Sequence, residues 1–447
     1  MSKVKTGAYT AEAVAGFDHR TAIEEAARCL LCHDAPCSRD CPAGTDPGKF
    51  IQSIRFRNPK GAAETIRENN VCGGSCAYVC PYDRLCEEAC SRCGIDRPIQ
   101  IGKLQRYAIE QEKAYRMKIL HAPRGAKKGA VACVGSGPAS LACAAELAKA
   151  GYKVTIYERE KKAGGVLTYG ITPARLPQKV VDQDIKSVAG LGVEFVFGTE
   201  IGKKLTIEDL LDKKGYDAVF VGIGLWESKL SGVPGEDLKN VLRAVDFLKK
   251  ARTSGGYPQI AGKKVVVIGG GDVAMDCATT AKLNGAEVQI WYRRTIEEAP
   301  ANYDEINYVL SLGIGMTTNF APKRFTGKNG KVEFAEFTGR DGKSGATIAC
   351  DYVVLAIGQQ AEDPAALVSG AKLTPKGCIA ARGGKTGVSG VFAAGDIANG
   401  GGTVVEAVAE GKAAAAAMIE YMEKKARRAE KAKPAKPANP AAKKGVK

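Results

Sequence analysis

The chain has 447 residues, 45% hydrophobic, 26% charged and 6% aromatic, with 53 glycines that follow no Gly-X-Y period. Such a composition excludes collagen and supplies apolar material for about three domains of roughly 150 residues. No run approaches the ~18 consecutive apolar residues of a membrane span, and MSKVKTGAYTAEAVAGF lacks the apolar core of a secretory signal, so a cytoplasmic chain with no membrane partner is expected. The formal net charge of +16 suggests nucleic acid until it is located: residues 423–447 hold 10 Lys and Arg against 2 Glu, which is half the excess. That Lys/Ala/Pro-rich tail, residues 424–447, cannot bury a core and is expected to be disordered; no nucleic-acid partner is expected.

Ten of the 15 cysteines lie between positions 29 and 93: Cys29, Cys32, Cys37, Cys41, Cys72, Cys76, Cys80, Cys86, Cys90 and Cys93. In a cytoplasmic chain this density reads as metal or redox chemistry, because structural disulfides do not persist there. Cys29-Leu30-Leu31-Cys32-His33 fits a c-type haem motif, but that motif belongs to exported proteins and leaves the other cysteines idle. Zinc would use Cys29 and Cys32 with Cys90 and Cys93, at a separation far beyond that of a zinc ribbon. A reactive dithiol accounts for fewer still. Iron-sulfur ligation fits best. Cys29-x2-Cys32-x4-Cys37-x3-Cys41-Pro42 is a variant of the ferredoxin run whose fourth cysteine crosses to a second cluster, and Cys76-x3-Cys80-Pro81-x4-Cys86-x3-Cys90 repeats its grammar. The segments IEEAARCLL, PGKFIQSIRF, GAAETIREN and KLQRYAIEQEKAYRM have the 3.6-residue period, so two 4Fe-4S clusters are expected in an α-helical domain, residues 1–124.

After a Gly/Lys linker, the apolar strand Ala130–Val134 enters Gly135-Ser136-Gly137-Pro138-Ala139-Ser140 and an Ala-rich helix. The next strand, Lys153–Tyr157, ends at Glu158, 23 residues after Gly135. Strand, turn, helix, strand and acid in that order are the setting in which a helix N-terminus takes a pyrophosphate and the acid a ribose. Ser140 stands where a third glycine is usual and is small enough for close helix packing. The pattern returns 134 residues later: strand 263–268, Gly269-Gly270-Gly271-Asp272-Val273, a helix, and strand 287–292, ending this time at Arg293 and Arg294. An acid in one unit and arginines in the other predict two different nucleotides. Near the end, strand 390–394 runs into Gly395-Asp396, and Gly402-Thr403-Val404 opens a helix over 404–422. An aspartate there can bond a flavin's ribityl chain, while the helix N-terminus offers positive dipole to the ring. The fold expected is therefore α-helical followed by α/β. An FAD domain, 125–238 and 359–423, is interrupted by an inserted NAD(P)H domain, 239–358, both of them Rossmann-like. None of the five scattered cysteines forms the Cys-x2-Cys pair that many two-dinucleotide proteins reduce, so electrons are expected to leave through the iron-sulfur domain.

RCLLCHDAPCSRDCPAGTDPGKFIQSIRFRNPKGAAETIRENN, CPYDRLCEEAC and PIQIGKLQRYA closely resemble the amino-terminal region of dihydropyrimidine dehydrogenases. GSGPASLACAAELA, GGVLTYGITPARLP, GGGDVAMDCATTA, YRR and VFAAGDIA extend the resemblance over residues 15–422. It is closest to the NADH-oxidising, FAD-carrying subunit of the bacterial two-subunit enzyme and more distant to the small subunit of glutamate synthase. The resemblance implies one cluster on Cys29, Cys32, Cys37 and Cys90, and a second on Cys41, Cys80, Cys86 and the amide oxygen of Gln105, where the glutamate synthase relatives usually have glutamate. Cys72, Cys76 and Cys93 are left as non-ligands. For FAD the expected residues are Gly135, Gly137, Pro138, Ala139, Ser140, Glu158, Gly165, Val166, Arg175, Gly395, Asp396, Thr403 and Val404; for NAD they are Gly269, Gly270, Gly271, Asp272, Val273, Arg293 and Arg294. Thr172 stands where many relatives have proline, which bears on how the chain near Arg175 meets the flavin. The arginines could hold the 2′-phosphate of NADP, while Glu297 and Glu298 would repel it, and NAD is the expectation.

The function implied is NADH oxidation, with hydride passing to FAD and single electrons leaving through the two clusters. With all 447 residues allotted, the reduction of uracil or thymine needs a partner subunit carrying FMN, and no residue of this chain is expected to be catalytic in that step. The rival readings are the small subunit of glutamate synthase or of a ferredoxin-linked transhydrogenase and, from another class, a basic iron-sulfur protein that binds nucleic acid.

Overall fold

In the computed structural model, which describes residues 7–125 and 127–432, three of the amino-terminal helices are started by side chains just ahead of them. Asp18 accepts the Thr21 amide at 2.8 Å, Asp46 that of Lys49 at 3.0 Å and Asn58 that of Gly61 at 2.9 Å. Pro47 and Pro59 follow two of these caps in the first turn, where a missing N–H costs nothing. The helices His19–Ala27, Pro47–Arg55, Pro59–Asn69 and Ile101–Ala114 bury Ala22, Phe50, Ile54, Ile66, Leu104 and Tyr107 in one core, and Cys29, Cys37, Cys86 and Cys90 pack against its edge. A shorter helix, Gly73–Val79, was not legible in the sequence, because GGSCAYV opens on two glycines and has no amphipathic period.

Five parallel strands form the first α/β sheet in the order Val391–Ala393, Ala218–Val221, Ala130–Val134, Lys153–Tyr157 and Glu194–Val196. The second sheet is also parallel, in the order Val241–Arg243, Tyr352–Leu355, Lys264–Ile268, Glu287–Trp291 and Gly315–Thr317. All of the second sheet falls between two strands of the first, so one Rossmann-like unit is inserted in the other. The two connecting segments run side by side as an antiparallel ribbon, Glu227–Ser228 with Gln359–Gln360. Strands Phe320–Lys328, Lys331–Gly339 and Gly345–Ala349 add an antiparallel sheet that no motif announced. It covers the inserted unit, with Phe337 stacked on Trp291 at 4.2 Å between ring centroids.

The carboxy-terminal helix corrects one expectation. It was expected to end at 422 but runs from Val404 to Ala432, so residues 424–432 of the expected disordered tail are helical; residues 433–447 lie outside the described residues. Ala, Lys, Arg and Glu are good helix formers, and Glu420–Lys424 and Glu423–Arg427 pair one turn apart. The helix lies on Pro138–Lys149, where Gly411 permits the approach: a Cβ there would stand 2.2 Å from the Ala139 carbonyl oxygen. Among the described residues no helix is long and apolar enough to cross a membrane.

Candidate functional site

A cleft of about 980 Å³ lies where the helical domain and both α/β units meet. Its floor is the first glycine turn. Gly135 has a φ of +88°, and a Cβ on it would sit 2.7 Å from the Gly222 carbonyl oxygen, so the turn admits only glycine. Gly137, Pro138 and Ala139 then bring the N-terminus of the Pro138–Lys149 helix to the cleft, the end of a helix that favours an anion. Glu158 borders the cleft at the end of its strand, and its carboxylate accepts from the Ser136 amide at 3.0 Å, the Ser136 hydroxyl and the Glu160 amide at 2.8 Å. One acid thus braces the glycine turn that it stands beside.

Gly165, Val166, Arg175, Gly395, Asp396, Thr403 and Val404 line the same cleft. Ser140 does not; it is fully buried with its hydroxyl 3.4 Å from the Gly222 oxygen, in the packing role of the glycine it replaces. Asp396 accepts the Gly402 amide at 3.1 Å, and burial pushes its carboxyl up to about 6. Glu410, one face along the long helix, holds the Gly395 amide at 2.7 Å, and Glu406 accepts the Thr403 amide at 2.7 Å and hydroxyl at 2.8 Å. Glu410 was not legible as a site residue, because only the fold brings the long helix over Gly395, whereas Glu406 makes a local Thr-x-x-Glu cap with Thr403. An anion seat at a helix N-terminus, a buried carboxyl and an apolar wall of Val79, Val166, Ile171 and Val404 together fit a flavin dinucleotide.

The inserted unit lines the cleft with Asp272 and Val273, the first residues of the Asp272–Leu283 helix, and with Val245, Leu248, Lys249, Asp276 and Asn302, while Gly269, Gly270 and Gly271 stand outside its lining. Asp272 is held by the Asn302 amide at 2.8 Å. Arg293 and Arg294 are exposed, and among the described residues neither pairs with a carboxylate, whereas Glu298 is taken by Arg340 at 2.8 Å. Arg175 faces the inserted unit rather than standing free in the cleft. It pairs with Asp276 at 3.2 Å and with Glu305, and Asp276 also accepts the Thr172 amide at 3.2 Å. Burial raises Asp276 to about 6 and Glu305 to about 7, with the single guanidinium offsetting only part of that rise. Asp276 lies in the GGGDVAMDCATTA segment and Glu305 in no quoted motif, and only the fold places both against Arg175.

No two of the fifteen cysteines are joined in a disulfide. Among the described residues no three His, Cys, Asp or Glu side chains meet at a single-ion site. Cys29, Cys32, Cys37 and Cys90 instead line one small apolar cavity, closed by Pro36, Ile51 and Ile99. Burial, then the neighbouring Cys90, Cys29 and Cys32, push the Cys37 thiol up to about 11. Four thiolates can share such a cavity only around a compensating positive centre, which an iron-sulfur cluster supplies. Cys41, Cys80 and Cys86 form a second group. The Cys80 thiol is raised by its bond with Cys76, by burial and by the charges of Cys76, Cys86 and Cys41. Gln105 is buried on the adjoining helix, and its amide nitrogen donates to the Gly73 carbonyl at 2.7 Å, which leaves the amide oxygen over. Cys76, expected to be a non-ligand, borders this group through its contact with Cys80; Cys72 is buried and Cys93 exposed. Val79, next to Cys80, lines the flavin cleft.

Two family models match the chain: "Dihydropyrimidine dehydrogenase domain II, 4Fe-4S cluster" over residues 6–117 and "Pyridine nucleotide-disulphide oxidoreductase" over residues 129–411. The subunit PreT of the NAD-dependent dihydropyrimidine dehydrogenase of Escherichia coli O157:H7 is 45% identical over 417 residues, 93% of this chain and 98% of that protein. The glutamate synthase [NADPH] small chain of Escherichia coli K12 is 32% identical over 441 residues, 91% and 93% of the two chains. In fold, the α/β part is similar to FprA of Mycobacterium tuberculosis in complex with NADPH, with a TM-score of 0.58 and 19% identity over 68% of this chain and 86% of that one. It is also similar to T. acidophilum thioredoxin reductase, with a TM-score of 0.53 and 22% identity over 66% and 98%. With both domain models matched in order and near-complete mutual coverage at 45% identity, the chain belongs to the family of the NAD-dependent dihydropyrimidine dehydrogenase subunit PreT.

Proposed function

We propose that this chain is the NADH-oxidising electron-transfer subunit of a dihydropyrimidine dehydrogenase, serving a separate FMN-bearing subunit on which uracil or thymine and their 5,6-dihydro forms interconvert. The observation that carries this reading is the meeting of three parts at one cleft: the first glycine turn, the head of the inserted unit's helix at Asp272, and Val79 beside Cys80 of the thiol domain. FAD, when bound, takes two electrons together and releases them singly, and a 4Fe-4S cluster takes one. The residues of the chain position and insulate. Gly135, Gly137, Pro138 and Ala139 would hold the flavin's pyrophosphate, with Ser140 closing the helix onto the strand, and Glu158 would take the ribose. Gly165, Val166, Val404 and Thr403 would bound the rest of the flavin and Asp396 with Gly395 would bond its ribityl chain, while Arg175 holds the inserted unit at the cleft. Gly269, Gly270, Gly271, Asp272 and Val273 would hold the nicotinamide nucleotide. Arg293 and Arg294 are read with NAD, because Glu297 and Glu298 follow them at the surface. Cys29, Cys32, Cys37 and Cys90 are read as one cluster's ligands and Cys41, Cys80, Cys86 and Gln105 as the other's. A cytoplasmic address agrees with a dense set of cysteines among which no disulfide forms.

The purified chain should hold FAD and iron, oxidise NADH with a dye as acceptor, and reduce neither uracil nor thymine. Adding the FMN-bearing subunit should switch on NADH-dependent conversion of uracil to dihydrouracil, and adding the large subunit of glutamate synthase should produce no glutamate. Uracil reduction by the isolated chain, or coupling only to the glutamate synthase partner, would overturn the reading.

A further inference from the structure

We infer that Asp184 is a positioning residue for electron transfer: it ties the Gly73–Val79 helix to the flavin-side unit and so sets the distance from the flavin cleft to the thiols around Cys80. The inference rests on the reading above. Gly73–Val79 links the two places directly, since its last residue, Val79, lines the cleft and the next, Cys80, belongs to the second thiol group. Its two ends are held by one face of a single helix, Gln178–Ala189, which belongs to the flavin-side unit. At the far end Val79 packs with Val180 and Val181 in an apolar cluster that Leu167, Ile171 and Leu176 complete. At the near end the Asp184 carboxylate accepts the Gly74 amide at 3.2 Å and the Ser75 amide and hydroxyl, each at 2.7 Å. Residues 180, 181 and 184 are one turn apart, so both anchors share a face.

Asp184 is fully buried, and so is its ion partner Arg67, 2.5 Å away. Arg67 also pairs with Glu112 at 2.9 Å, on the Ile101–Ala114 helix that carries Gln105. The elements that bear Cys76, Cys80 and Gln105 are thereby referred to one carboxylate outside their own domain. A buried charge network is a poor means of adding stability, because desolvation offsets most of its attraction, but it tolerates little displacement: moving one member strands the others. Gly74 tightens the arrangement further, since a Cβ on it would stand 2.6 Å from the Asp184 carboxylate. Spacing is the quantity that such a clamp protects, and electron transfer between two held centres depends steeply on spacing.

The test uses the full chain, purified anaerobically, as Asp184→Asn and, as a gentler second variant, Ser75→Ala. FAD and iron content come first; if the unsubstituted chain holds neither, the reading of function fails and this inference is not what has been tested. In the loaded variants, flavin bleaching by NADH in stopped flow should keep its rate. Reduction of the iron-sulfur chromophore should then follow at least about tenfold more slowly, as expected where a held geometry loosens. Independently of turnover, hydrogen-exchange protection of residues 73–80 should fall by about tenfold or more in Asp184→Asn, which weakens a charge-assisted cap. Unchanged cluster reduction in both loaded variants would overturn the inference. So would loss of FAD and iron from both, which would make Asp184 a residue of general folding alone.

Discussion

At the scale of single residues, the sharpest question concerns the second thiol group, where Gln105 and Cys76 stand on adjoining helices. The Gln105 nitrogen is engaged by the Gly73 carbonyl, whereas the Cys76 sulfur already receives the Asn70 amide nitrogen at 3.3 Å and lies in a fully buried setting. Cluster sulfurs also accept such N–H bonds, so that contact does not choose between the two; the family resemblance places the ligand at Gln105, whose nitrogen is taken by Gly73 and whose oxygen is left over. Gln105→Leu is therefore expected to remove or convert one cluster, seen as a lost or altered electron paramagnetic resonance signal with FAD retained. Cys76→Ser is expected to keep both clusters. The reverse pattern would move the fourth ligand to Cys76.

Among the elements, the long carboxy-terminal helix divides into a working part and a dispensable one. Met418 and Met422 are buried against the Pro138–Lys149 helix and its sheet, whereas residues 423–429 are exposed. Truncation after Arg428 should leave NADH oxidation by a dye and the thermal midpoint unchanged, because the described side chains beyond it, Ala429 and Lys431, are exposed. Truncation after Tyr421 removes the buried Met422 and should cost about 1.5–3 kcal/mol, the loss expected for uncovering a large apolar side chain. Thermal unfolding of the two shortened chains distinguishes them; equal midpoints would show that Met422 contributes nothing to the packing of this helix on the flavin-side unit.

For the molecule as a whole, the contact that orients the inserted unit is titratable. Arg175 of the flavin-side unit faces two carboxyls of the inserted one, Asp276 and Glu305, and burial raises them from 3.8 to about 6 and from 4.5 to about 7. A carboxyl whose folded value is raised holds its proton more tightly in the folded state, so its cost to stability appears as the pH rises above the unfolded value and is complete above the folded one. That window runs from about pH 4.5 to about 7 for Glu305. Glu305→Gln removes one of these titrations. The stability difference, variant minus unsubstituted chain, should therefore grow in the variant's favour by about 1–2 kcal/mol between pH 5 and pH 7.5. Anaerobic thermal unfolding of the two proteins across that range measures it, and parallel curves would show that Glu305 does not titrate within it.

Much of the design was local and therefore legible. Strands Ala130–Val134 and Lys153–Tyr157, the glycine turns between strand and helix, and the cysteine runs each depend on neighbours within one element, so composition and spacing announce them. The discontinuous first sheet was legible for the same reason, because the strand at 391–393 carries its own Gly395-Asp396 signature. What the tertiary structure alone decided are pairings between residues distant in the chain. Asp184 with Gly74 and Ser75, Arg175 with Asp276 and Glu305, and Glu410 with Gly395 join elements that carry no shared pattern. A buried carboxylate in an amphipathic helix looks in sequence like any solvated one, since hydrophobic periodicity records which face is buried but not which polar group waits on the other side. Only when the chain is folded does burial exchange water for a specific partner, and that exchange turns an ordinary acid into one that holds two domains at a working distance.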